Sequence, residues 1–175
     1  RPGELAFGSS GSGTSTHLAG ELLKSVTGIK MTHVPYKGSG QALIDVMAGH
    51  VPMTFGSITA SVELLKSGRL RAVAITSEKR YPQLPGVPTF AESGYQSLVI
   101  GSWYAVWLPS KAPEAIVSKL HADIVRVLNL PEVRNRIIEL GGEPVGNSPA
   151  EFDAFQKAEM ARWAKVIKES GATAE

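Results

Sequence analysis

The chain has 175 residues, 43% of them hydrophobic and 19% charged, no cysteine, and a formal net charge of +2 from 18 basic and 16 acidic side chains. Such a composition suits one packed domain, or one domain and part of another, and argues against disorder. It excludes disulfides and thiolate metal sites, fits an oxidising compartment, and leaves no basic run to follow nucleic-acid phosphates.

No apolar run reaches the ~18 residues of a membrane span, and no signal peptide is visible. The chain opens on Arg1-Pro2-Gly3 and a strand begins almost at once, so it reads as the continuation of something longer. Leu5 and Phe7, with Ala6 between them, suit a buried strand. Gly8, Gly11 and Gly13 relax the backbone for a sharp turn, and Ser12, Thr14 or Ser15 is placed to cap the next helix. That helix carries Leu18, Leu22 and Val26 on one stripe, widened by Leu23, and stops at Thr27-Gly28. Lys30 to Pro35 reads as a second strand and Tyr36 to Gly40 as a loop. A helix with Leu43, Ile44 and Met47 follows and ends at Gly49. Val51, Met53 and Phe55 alternate as a strand, which Pro52 places at an edge or at its own start. Gly56-Ser57 turns into a helix with Val62, Leu64 and Leu65 that Gly68 ends, and Leu70 to Thr76 is a further apolar strand. This alternation predicts βαβ units and a largely parallel sheet.

Pro82, Pro85 and Pro88 make Ser77 to Gly94 mostly irregular, although Thr89 to Glu92 has the capping-box pattern of a short helix. Ser102 to Pro109 reads as a buried strand through Trp103, Tyr104, Val106, Trp107 and Leu108. From about Lys111 the chain is mainly helical. Pro113 suits the first turn of one helix and Pro131 opens a second, closed by Gly141-Gly142. Ser148-Pro-Ala-Glu151 boxes the start of a third, which carries Phe152, Phe155, Trp163, Val166 and Ile167. Their apolar stripes need a sheet or a partner to cover them.

The Gly/Ser turn carries the chemistry. Unpaired N–H groups at the helix start, a partial positive charge and several hydroxyls make an anion site without a charged side chain. Glycine spacing from Gly8 to Gly13 matches a phosphate loop, but Thr14-Ser15 stands where Lys-Ser/Thr is required, which disfavours an NTPase. The dinucleotide pattern lacks its third glycine, at Thr16. Two similar junctions recur, at Tyr36 to Ser39 and at Gly56 to Thr59. In a parallel sheet all three lie at the carboxyl ends of the strands, where open α/β folds bind ligands. His17 stands in the first turn of the opening helix, partly exposed and able to donate to a ligand, while His33, His50 and His121 read as structural or solvated. No HExxH or other close metal-ligand pair, no GxSxG turn and no acid–base pair of carboxylates is present.

Leu5-Ala-Phe-Gly-Ser-Ser-Gly-Ser-Gly-Thr-Ser-Thr-His-Leu-Ala-Gly-Glu21, Val34-Pro-Tyr-Lys-Gly38, Ala74-Ile-Thr-Ser-Glu-Lys-Arg80, Val87-Pro-Thr-Phe-Ala-Glu-Ser-Gly94 and Trp107-Leu-Pro109 resemble, in order and spacing, the Bug family, the extracytoplasmic solute receptors of tripartite tricarboxylate transporters. The resemblance spans essentially the whole chain. It implies an α/β periplasmic-binding-protein-like fold whose two lobes close on a small carboxylate, a di- or tricarboxylate or an aromatic acid, in the periplasm, without catalysis, cofactor, metal or nucleic acid, and with a membrane permease as partner. By this likeness residues 1–101 form the ligand-gripping lobe with the largely parallel sheet. Residues 102–175 form the returning, mainly helical part of an incomplete other lobe, whose N-terminal part and signal peptide are expected before Arg1. A second copy, a domain swap or a missing segment is expected to cover the helical tail. The expected ligand-binding residues are Ser9, Ser10, Gly11, Gly13, Thr14, Ser15, His17, Tyr36, Lys37 and Ser57. Three departures from the family pattern stand at Gln41, Pro52 and Gly56; the missing acidic residue at Gly56 favours a plain carboxylate over an amino acid. The alternative is a small-molecule hydrolase using the same anion site, which needs an activated nucleophile that the sequence does not display. A third reading is an assembly fragment with no binding left.

Overall fold

The computed structural model describes residues 4–170. They divide into two compact units, one of the residues up to Ser102 together with those from Trp163, the other Trp103–Arg162.

The first unit is built on β1 (Leu5–Ser9), α1 (Ser15–Thr27), β2 (Met31–Pro35), α2 (Ser39–Met47), β3 (Met53–Thr54) and α3 (Ile58–Lys66). The three strands form a parallel sheet in the order β2-β1-β3, with Phe7 opposite His33 on one side and Met53 on the other. β1 is central and its second half is enclosed, where Phe7 and Ser9 are 0% exposed, whereas Leu5 at its start is exposed rather than buried as its apolar character predicts. β3 is an edge, and Pro52, which has no N–H to donate, stands just before it. Phe7 also explains a glycine inside α1. A Cβ on Gly20 would lie 2.1 Å from the Phe7 ring, so only a bare backbone lets the helix lie this close to the strand. One core cluster joins Ala19, Leu98 and Ile100, with Leu22, Leu23, Phe55, Phe90 and Trp163 against it; a second joins Val62, Ile75 and Tyr81.

Leu70 to Thr76 does not form the predicted strand. Only Ile75 bridges, to Thr89, with its N–H donating to Pro88 O at 2.9 Å. Extending that parallel ladder toward Val73 needs an N–H on Pro88, and proline has none. The Thr89 capping box does form, with Thr89 N–H donating to Glu92 Oε2 at 2.8 Å and Glu92 N–H to Thr89 Oγ1 at 3.1 Å, but it closes a turn rather than a helix.

The second unit contains α4 (Glu114–Leu128), α5 (Pro131–Glu139) and most of α6 (Pro149–Ser170). Pro131 occupies the first turn of α5. Ser148 and Glu151 exchange bonds at the start of α6, where Ser148 N–H donates to Glu151 Oε2 at 2.8 Å. Trp103, Trp107, Phe152 and Phe155 form an aromatic cluster with edge-on contacts 5.6–5.9 Å between ring centroids. Ser102 to Pro109 is not the buried strand that its apolar run predicts: it has no regular structure, and Tyr104 is 99% exposed. A strand needs a neighbouring backbone to take its N–H and C=O groups, and none is paired with this stretch among the described residues.

Candidate functional site

Because the sheet is parallel, the ends of β1, β2 and β3 share one edge. The chain leaving each strand is fastened to its neighbours there. Tyr36 N–H donates to Ser9 O at 3.2 Å, Phe55 N–H to Gly8 O at 3.0 Å, and Thr54 Oγ1 to Gly8 O at 2.9 Å. α1, α2 and α3 begin within a few residues of these ends, and the first-turn N–H groups of each lack an acceptor inside the helix. The structure therefore gathers three partially positive helix starts along one sheet edge.

The loop after β1 is held by its own side chains. Thr14 caps α1, accepting weakly from His17 N–H at 3.4 Å while its hydroxyl donates to Gly11 O at 2.6 Å. Thr16 Oγ1 accepts from Ser10 N–H at 2.9 Å and lies 2.7 Å from Ser10 Oγ. Gly11 N–H donates to Ser9 Oγ at 3.1 Å and Gly13 N–H to His17 Nδ1 at 3.0 Å. Gly11 has φ +135°, and a Cβ there would meet Tyr36 O at 3.2 Å, so two constraints require glycine at the point where the first loop touches the second.

The predicted residues fall into two groups. Ser10, Thr14 and Ser15 are half-buried at the loop; Ser15 Oγ lies 2.7 Å from Ser102 Oγ. Tyr36 closes on Gly8, and its hydroxyl donates to Asp45 Oδ2 at 2.7 Å; loss of hydration, then the Asp45 carboxylate, raises the phenol's pKa. Lys37 is exposed, and its N–H donates to Gln41 Oε1 at 3.3 Å, which gives the departure at Gln41 a local role. Ser57 precedes α3, with its Oγ accepting from Thr59. Ser9 and His17, by contrast, lie beneath the loop.

His17 is not the partly exposed helix residue expected. It is 6% exposed, with its Nδ1 turned to Gly13 and its Nε2 3.7 Å from Glu21 Oε1. Its ring stacks on that of His33, centroids 3.8 Å apart and 8° from parallel. His33 reaches this place because β2 pairs with β1 in the register that sets His33 beside Phe7. Burial holds His17 below the ordinary histidine range, and burial together with repulsion from His17 brings His33 to about 4. Sequence reading missed Thr16, His33, Asp45 and Ser102. Thr16 stood in plain view in the Gly/Ser run, whereas the other three are joined to the loop only by strand register or by contacts distant in sequence.

Ser9 Oγ lies 2.6 Å from His33 Nε2, the separation of a nucleophile and its base. Ser9 is 0% exposed, however, and its oxygen already accepts from Gly11 N–H, so no acyl carbon can approach it. Among the described residues no group of His, Asp or Glu side chains is placed to hold a metal ion, and no helix is long and apolar enough to cross a membrane.

The family model described as tripartite tricarboxylate transporter family receptor matches residues 1–172. The chain belongs to this family. BugT of Bordetella pertussis is 38% identical over 172 residues, which are 98% of this chain and 53% of BugT. The structure of R. palustris Rpa4515 with adipate superposes with a TM-score of 0.89 at 39% identity, covering 100% of this chain and 58% of that one. MatC of Rhodopseudomonas palustris, with bound malate, gives a TM-score of 0.81 at 30% identity over 93% of this chain and 56% of its own. The α/β fold is thus that of periplasmic-binding-protein-like receptors. The chain spans about half the length of most curated relatives it matches.

Proposed function

We propose that this chain carries the ligand-gripping part of a periplasmic receptor that captures a small carboxylate for a tripartite tricarboxylate transporter and delivers it to a membrane permease. The observation that carries the reading is the meeting of three helix starts and a hydroxyl-rich loop on one sheet edge. The ligand carboxylate accepts from the Ser10 and Ser15 hydroxyls and from the free N–H groups at the start of α1. Ser9, Gly11, Gly13, Thr14 and His17 hold the loop in shape, and Tyr36, Lys37 and Ser57 bound the site from the neighbouring junctions. Hydrogen bonds to a charged group contribute roughly 1.5–3 kcal/mol each, and micromolar binding needs roughly 8 kcal/mol net. Several such bonds reach that value without a cationic side chain. The relatives bound to adipate and malate support a dicarboxylate. No catalytic step is assigned, because the Ser9–His33 pair is sealed from any substrate.

In this reading residues 1–101 are one jaw and residues 102–175 the returning part of the other, whose apolar helices are covered by further chain or by a second copy. Calorimetry with a carboxylate panel that includes adipate and malate tests the site. Thr14→Val removes the loop's bond to Gly11 O, so its affinity falls about tenfold or more, equivalent to ~1.4 kcal/mol. Equal binding by the variant and the wild type overturns the site; a wild type that binds no carboxylate overturns the function for this chain.

A further inference from the structure

We infer that His17 and His33 are positioning residues for the Gly/Ser loop, and that the loop keeps its binding shape only while both imidazoles are neutral. What the loop binds rests on the carboxylate reading above; how the loop is held does not.

Hydrogen-bond roles assign the proton. Gly13 N–H donates to His17 Nδ1, so that nitrogen carries its lone pair and the ring proton sits on Nε2, facing Glu21. A second proton would have to enter at Nδ1, where it would meet the Gly13 N–H head on, and that amide would have to turn away. Gly11 N–H is tied to the same pair by one further link, since its acceptor, Ser9 Oγ, contacts His33 Nε2 at 2.6 Å. Both loop glycines therefore rest on one stack of imidazoles, Gly13 directly and Gly11 through a buried serine.

The stack itself resists charge. Two rings 3.8 Å apart and nearly parallel cannot both be cations at low cost. From α1 the pair faces Glu21 and Lys24, but the Glu21 carboxylate is already held by Lys24 Nζ at 2.8 Å. From β1 it faces only Ser9 and Phe7. Glu4 and Lys30, both exposed, stand at the opposite ends of β1 and β2. The turn Gln96–Leu98 against α1 offers no titratable group, and the end of α6 offers Trp163, with Lys165 and Lys168 exposed. Glu21 favours the charged form of both rings, but burial outweighs it and Lys24 opposes it, so both titrations are lowered.

The test uses the whole 15N-labelled chain, titrated by NMR from about pH 8 to about pH 3, through the ordinary histidine range and the lower range in which this pair takes its protons. At the upper end His17 Nδ1 reads as unprotonated, and on acidification the Gly13 amide shift moves with the His17 imidazole. His17→Asn sets an oxygen at the place of Nδ1 without a titratable proton. It keeps the Gly13 shift, makes it independent of pH, and leaves adipate affinity within about threefold of wild type. His17→Leu fills the space without an acceptor and loses both the shift and about tenfold or more in adipate affinity. A proton on Nδ1 at the upper end, a Gly13 amide indifferent to the titration, or an Asn variant no better than Leu overturns the proposal. If no protein in the series binds adipate while Gly13 still follows His17, the carboxylate reading fails and the positioning role stands.

Discussion

The two units are similar in apolar character and opposite in burial. In the first, Phe7 and Leu98 are 0% exposed and two clusters close around Ala19 and Val62. Between Trp103 and Arg162 no described side chain is buried, although α4 and α5 carry clear apolar stripes. The first unit is held by pairings distant in sequence, such as Phe7 with His33 and Met53. In the second, the hydrogen bonds and ion pairs are mostly local, among them the Ser148–Glu151 box and the Lys119–Asp123 and Lys157–Asp153 pairs, while Trp103 and Phe152, distant in sequence, meet in an aromatic cluster that opens to solvent. A periodic stripe says which face of a helix seeks cover. It does not say what provides the cover.

This contrast can be broken first at Phe7. Phe7→Ala empties a fully buried site between His33 and Phe55 and costs about 3–5 kcal/mol in urea unfolding followed by circular dichroism. Gly20→Val forces atoms into the same ring from the other side and costs about 1–3 kcal/mol. A loss under 1 kcal/mol in both variants would deny the first unit its closed core.

Acid separates the units next. The histidine pair titrates lower in the folded chain than the ordinary 6.5, His33 near 4. The unfolded chain therefore takes protons first on acidification, and this part of the first unit's stability is whole above 6.5 and lost as pH falls toward about 4. Asp123 and Glu151 in the second unit are also lowered, by Lys119 and by Ser148 respectively. Their contributions are present above the ordinary 3.8 and 4.5 and decline only at more acid pH. Hydrogen exchange read by unit should show the first loosening at a higher pH than the second; simultaneous loosening would remove the distinction.

Smaller effects sharpen the second unit. Trp103→Ala removes the centre of the aromatic cluster at a side chain that is 39% exposed, so it costs about 2 kcal/mol, below Phe7→Ala in the same unfolding assay. Lys157→Ala breaks an exposed i,i+4 pair and costs no more than about 0.5 kcal/mol.

Much of the fold was legible because it is written locally. Thr14 caps α1, Gly28 ends it in a left-handed turn, Pro131 opens α5 and the Ser148 box opens α6, each through groups a few residues apart. Misreadings came where a local pattern needed a distant partner. Leu70 to Thr76 met a proline where its ladder needed a donor, and Ser102 to Pro109 found no neighbouring strand. The candidate site divides in the same way. Ser10, Thr14 and Ser15 stand at the loop as their residue types suggest, while His17 and Ser9 lie beneath it.

By itself, then, the sequence determined the helix starts, the glycine turns, the parallel α/β pattern and a Gly/Ser loop that lacks a lysine, since each depends on short-range sterics and on backbone groups within one or two turns. Only the tertiary structure decided that His33 stacks on His17, that Ser9 is sealed, and that three helix starts share an edge. Those facts depend on strand register and burial, and residues 16 or 24 apart along the chain meet only once the sheet has formed.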